Sequence, residues 1–244
     1  MSAWLSVWAI LCHLAQGIPF PGFVLASAPS APSFVNSVAD FCTYGGSTCS
    51  SGPNLSVTAG NSLVVYIGFL SYAFTTCGTG GTVTAALSGG ASLTQIGSNV
   101  RDASTNTCMA AFRINSLPST TATENVVFTY TGTGYASVGM IQTTSFSTED
   151  ANCSGTNDST SPTTCASGMT VSSDILTAGY SNFNVGGTIG VGGGFTGAAL
   201  YVGANSFTPI LQLAYRQVTS SGTYNPSISD TGSLNSVILG AATH

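Results

Sequence analysis

Apolar and polar positions along this chain change places over short distances, and the stretch 54–70 shows the pattern most clearly. Leu55 and Val57 alternate with polar neighbours and run into the turn Ala59-Gly60-Asn61. A continuous run of β-branched, aliphatic and aromatic residues follows, from Leu63 to Phe69. This predicts an edge strand folding back into a buried central strand. The pattern returns at 169–180, with Val171, Ile175, Leu176 and Tyr180 in comparable places. Further strands are expected at 34–39, 82–87, 93–97, 108–114, 125–130, 135–146, 198–202, 210–217, 222–228 and 236–241. After residue 30 no segment carries a sustained helical stripe. Short strands separated by Gly, Ser, Thr and Asn clusters predict an all-β fold: an antiparallel, jelly-roll-like β-sandwich with two similar halves in one domain. The glycine-rich stretch 186–194 reads as a loop, or as a strand closely approached by another backbone.

Residues 1–28 follow the outline of a secretory signal peptide, with an apolar run at 4–15 and small residues for cleavage near Ala26 and Ala28. The absence of Lys and Arg near its start, and Pro19 and Pro21, depart from that outline. The apolar run falls short of the ~20 residues a membrane span requires, so no span is expected in the mature chain. Residues 29–33 form a Pro/Ser/Ala linker, and 34–244 a single sandwich domain.

Charge changes the picture more than length does. Charged residues make up 5% of the 244, against roughly 25% in ordinary soluble domains. There is no lysine; the three basic side chains are Arg101, Arg113 and Arg216. Such a surface has no cationic patch to neutralise phosphates, which excludes nucleic acid as a partner. Solubility must come from Ser, Thr, Asn and Gly, a profile suited to a chain outside the cell.

Cys12 falls in the signal segment; Cys42, Cys49, Cys77, Cys108, Cys153 and Cys165 remain. An even number in an exported chain points to disulfides. The short loops favour Cys42–Cys49 and Cys153–Cys165, which leaves Cys77–Cys108. No Cys-x-x-Cys occurs, and beyond the signal segment His244 is the one histidine, which argues against zinc. The same count speaks against a Ser-His-Asp or Cys-His catalytic arrangement, and the missing lysine against Ser-Lys chemistry. Carboxylates remain. Glu149, Asp150 and Asp158 read first as a solvated polar loop and secondly, with Asn152 and Asn157, as oxygen ligands for calcium. Gln142 and Glu124 resemble the Gln/Glu pair of an acid-active glutamic peptidase, but no tryptophan lies beyond Trp8 to build that family's surroundings. No enzyme is expected; an acid hydrolase is the third alternative, after a structural and a carbohydrate-binding module.

Sugar-binding sandwiches stack rings on exposed aromatics. Here that role falls to Tyr44, Tyr72, Tyr135 and Tyr224, which lie near Gly- or Ser-rich turns, while Tyr66 reads as core. Asn54, Asn152 and Asn157 are N-glycosylation acceptors. Several stretches resemble those of a known group. Ala31-Pro-Ser-Phe-Val-Asn-Ser-Val38, Thr58-Ala-Gly-Asn-Ser-Leu-Val-Val65, Leu93-Thr-Gln-Ile-Gly97, Met109-Ala-Ala-Phe-Arg113 and Val126-Val-Phe-Thr-Tyr130 are similar to Ser/Thr/Gly-rich β-sandwich modules of exported bacterial and environmental surface proteins. Ser172-Ser-Asp-Ile-Leu-Thr-Ala178, Leu213-Ala-Tyr215 and Ser220-Ser-Gly-Thr-Tyr224 extend the likeness. The resemblance implies the fold and an exterior location, and it carries over no site residues. The function expected is a structural or adhesive module that pairs with copies of itself or with other surface proteins, its extended segment 27–38 adding as a strand to a neighbour's sheet. Carbohydrate binding is the alternative.

Overall fold

The long apolar run after Asn61 becomes the middle strand of a sheet because both of its faces are buried. In the computed structural model, which describes residues 32–44, 48–71, 83–105, 107–118, 122–130, 134–157, 162–183, 187–203, 209–232 and 235–244, that strand is β4 (Ser62–Ser71). The first half also contains β1 (Phe34–Tyr44), β2 (Thr48–Ser51), β3 (Leu55–Val57), β5 (Val83–Leu87), β6 (Thr94–Arg101), β7 (Thr107–Ile114), β8 (Ala122–Glu124), β9 (Val126–Tyr130) and β10 (Gly134–Thr143). The second half holds β11 (Glu149–Asn157), β12 (Thr163–Thr164), β13 (Met169–Val171), β14 (Ile175–Asn182) and β15 (Ile189–Gly192). It continues with β16 (Thr196–Tyr201), β17 (Ile210–Gln217), β18 (Gly222–Tyr224), β19 (Ser227–Asp230) and β20 (Ser236–Thr243). The described residues contain no helix, and every strand pairing is antiparallel.

The two halves repeat strand for strand. The order β1-β10-β4-β7-β6 is matched by β11-β20-β14-β17-β16, β5-β9-β2 by β15-β19-β12, and β3-β8 by β13-β18. In the first half β1 bridges the two groups into one eight-stranded sheet; in the second they are separate sheets. Even the staples correspond. Cys42 on β1 is bonded to Cys49 on β2, and Cys153 on β11 to Cys165 just past β12. Cys108, buried on β7, is also disulfide-bonded; its expected partner Cys77 lies outside the described residues.

Alternation along the strands feeds three cores. On β4, Leu63, Val65, Ile67 and Phe69 enter a core of the first half with Val138, Met140 and Phe112, while Val64 and Tyr66 face the second half. On β14, Leu176, Ala178 and Tyr180 pack with Met169, Ile228 and Ile238 inside the second half. A third core lies between the halves and includes Tyr66, Met109, Ile141, Leu211, Leu213 and Leu239. Each fully buried Val, Leu, Ile, Phe or Met side chain among them stabilises by roughly 1.5–3 kcal/mol relative to exposure. The two five-strand layers stack with β4 against β14, β10 against β17, β7 against β20, and the outer strands β1 against β16 and β6 against β11. This arrangement is a pseudo-twofold.

Three expectations need correction. Residues 149–157 form a sheet strand, β11, and not a solvated loop; only Cys153 along it is buried, so no apolar period announced it. Phe34 to Cys42 pair with Thr143 to Ala136 of β10 in the interior of the chain's own sheet, so this segment is not a free strand for donation. The expected strand 222–228 is two strands, β18 and β19, interrupted at Asn225-Pro226, where proline removes an N–H donor.

Candidate functional site

β11 begins with a bulge. Its register against β20 shifts between Glu149 and Ala151, so Asp150 is an extra, exposed residue there. Glu149 and Asp150 consequently serve different partners. Glu149 Oε2 accepts from Arg113 Nε at 3.3 Å, and Oε1 from Asn152 Nδ2 at 2.9 Å. Asp150 Oδ2 lies 2.6 Å from His244 Nδ1, and Oδ1 accepts from Thr148 Oγ1 at 3.3 Å. The two carboxylates therefore face different partners, and Asp158, the third candidate calcium ligand, lies outside the described residues.

Two residues passed over in the sequence join Asp150 instead. Asp174 stands at the entry to β14, its backbone tied in both directions to Val218 (2.9 and 3.1 Å). His244 follows β20; its N–H donates to Thr148 O at 3.2 Å, and its carbonyl accepts from Ser147 N at 2.7 Å. One donor atom from each of Asp150, Asp174 and His244 lies within 4.8 Å of the others. Asp174 is 1% exposed. Its Oδ1 accepts from Ser173 N at 3.3 Å, whereas Oδ2 has no hydrogen-bond partner among the described residues. Burial, and then the neighbouring Asp150 carboxylate, push the Asp174 carboxyl above the ordinary carboxylate range, with His244 acting in the opposite sense. The sequence carried one signal for this group: Asp174 lies at the turn between the two strands of the second copy of the repeated motif.

The remaining predicted residues scatter. Tyr135 is 36% exposed at the start of β10. Tyr224 has the Arg216 guanidinium 4.6 Å from its ring centroid and donates its hydroxyl to Ser220 O at 2.7 Å. The Tyr44 side chain and all of Tyr72 lie outside what is described. Tyr66 is core, as expected. Gln142 is fully buried: with its nitrogen turned to Asn36 and Ser56, its oxygen accepts from Asn61 Nδ2 at 2.6 Å and Thr58 N at 3.1 Å. Glu124 Oε2 accepts from Ser88 Oγ at 2.7 Å and Gly89 N at 2.8 Å. The two therefore serve different turns, Gln142 the one at 58–61 and Glu124 the one at 88–89.

Asn54 is exposed before β3, Asn152 is exposed on β11, and Asn157 is half-buried at its end. An open polar groove of about 560 Å³ lies between β6 and β11, lined by Asn99, Arg101, Ser154, Thr156 and Thr164 among others.

Compared with protein-family models, curated proteins and solved structures, the chain matches none. No helix among the described residues is long and apolar enough to cross a membrane.

Proposed function

We propose that the protein is a non-enzymatic extracellular structural module that associates with copies of itself through the outer edge of β16. The observation that carries this reading is Leu200 and Val202, 47% and 50% exposed at and just past the end of a terminal strand. An edge strand offers unpaired backbone groups to another chain, and proteins guard against this with charges, bulges or covering segments. Among the described residues, the other edges of the two large sheets, β5, β11 and β6, carry such guards. Leu87 N and Leu93 N bond across residues 85–93 beside β5, Ala166 N bonds Ser154 O along β11, and β6 has a long register break between Ile96 and Val100. β16 has a small break at Gly197, no charged residue, and apolar side chains in solvent.

Disulfides at Cys42–Cys49 and Cys153–Cys165 favour an oxidising, exterior location. The near-absence of charge suits a surface built to meet another surface. The carbohydrate reading has weaker support, because one face of the Tyr224 ring is taken by Arg216. Solution mass and electron microscopy of the oxidised protein test the proposal. Ordered assemblies that disperse in Leu200→Lys and Val202→Lys variants support it; a monomer at every concentration, or assemblies indifferent to both substitutions, rejects it.

A further inference from the structure

We propose that Asp150, Asp174 and His244 form a binding site for a divalent transition ion of the zinc class. An imidazole nitrogen with two carboxylate oxygens suits such an ion, whereas magnesium and calcium favour oxygen donors throughout. Donor atoms around a four-coordinate zinc ion, bonded at 2.0–2.1 Å, stand roughly 3.3 Å apart. The three donors here already fall within 4.8 Å of one another. Their backbones are held by the β11 bulge, the Asp174–Val218 pair and the His244–Thr148 bond.

Two independent observations point to a ligand. The first is Asp174 itself, a 1% exposed carboxylate with Oδ2 unpartnered and a second carboxylate beside it. A buried anion facing another anion is costly unless a cation or proton stands between them.

The second is the internal repeat, which supplies a copy of the same architecture with different side chains. β1 has its bulge at Val35 where β11 has Asp150. Thr143 faces Ser62, and Thr243 faces Ile175. Asn61 therefore matches Asp174, Thr144 matches His244, and Gln142 matches Ala242. The Thr144 N–Ser33 O and His244 N–Thr148 O bonds, and the Leu117 N–Asn61 O and Val218 N–Asp174 O bonds, confirm the register. In the first half Asn61 is satisfied by the Gln142 amide. In the second half the amide is replaced by the Ala242 methyl, and the three matching positions all become ligating residues. The fold does not require these residues, since its other copy dispenses with them. Nearby charges do not compete: Glu149 is engaged by Arg113 and Asn152.

The test is calorimetric titration of zinc ion alone into the oxidised, chelator-treated full chain, with thermal melts alongside. Saturable binding is expected, with a higher Tm when zinc is present. Asp174→Asn, Asp150→Val and His244→Thr install the first-half residues and should retain the fold, read by circular dichroism. Each is expected to weaken this binding by about tenfold or more, equivalent to at least ~1.4 kcal/mol. Glu149→Gln should leave it unchanged. Absence of zinc binding, zinc binding unaltered in all three variants, or tighter binding of calcium that His244→Thr does not affect would each overturn the assignment.

Discussion

The Tyr66 hydroxyl on β4 and the Thr177 hydroxyl on β14 lie 2.8 Å apart, fully buried, and join the two halves at their crossing point. Thr177 Oγ1 also reaches Ala241 O at 3.5 Å. A buried neutral hydrogen bond of this kind contributes about 1 kcal/mol net. Tyr66→Phe keeps the ring and removes the bond, so it should lower unfolding stability by about that amount in urea titration. An unchanged midpoint would show that the hydroxyl pair contributes nothing.

The same phenol sets an alkaline limit. Burial raises its pKa well above the ordinary tyrosine value, opposed by the Thr177 bond and reinforced by Glu149. In the unfolded chain Tyr66 loses its proton near pH ~10. Above that pH the folded state holds a proton that the unfolded state has released, so stability falls as pH rises. Below it both states are protonated and this group contributes no slope. The expected loss approaches ~1.4 kcal/mol per pH unit between the unfolded and folded values. Wild type and Tyr66→Phe, compared by urea unfolding at increasing alkaline pH, should converge as this advantage disappears; parallel curves would refute the account.

Gly179 is the repeat partner of Tyr66, and the ring fills the space its missing side chain leaves. A Cβ there would stand 2.5 Å from Tyr66 Cδ1 and 2.6 Å from Cγ. The ring is held by its own hydrogen bond and the packed strands around it. Gly179→Ala should therefore destabilise by about 1–3 kcal/mol through overpacking. Ala at exposed Gly90, by comparison, meets no atom within 4 Å but is strained by a φ of +90°. Denaturation midpoints of the Gly179 variant test the packing claim, and a wild-type midpoint would contradict it.

The two matched staples differ in span, with sequence separations of 7 for Cys42–Cys49 and 12 for Cys153–Cys165. On chain entropy alone, their loss should cost about 2.5 and about 3 kcal/mol respectively. Paired Cys→Ser variants, measured with the other bridges intact, should follow that order. A much larger loss at Cys42–Cys49 would show that its bond also holds β1 against β2 within the eight-stranded sheet.

Where burial writes a local pattern, the sequence is readable. β4 appears as an unbroken apolar run because Leu63, Val65, Ile67 and Phe69 face one core while Val64 and Tyr66 face another. β3 and β13 appear as alternation because one face of each is exposed. The return of this strand pair disclosed the two halves, and the short Cys42–Cys49 and Cys153–Cys165 intervals disclosed two staples. β11 left no comparable trace: it is a polar outer strand with one buried residue, and its composition resembles a loop.

Tertiary structure alone decided the meeting of Asp150, Asp174 and His244. β20 pairs with both β11 and β14, so two long-range registers carry its end to the bulge on one side and to the turn before β14 on the other. Local periodicity records which face of a strand is buried. It does not record which distant strand lies beside it, and that choice is made by the packing of whole sheets.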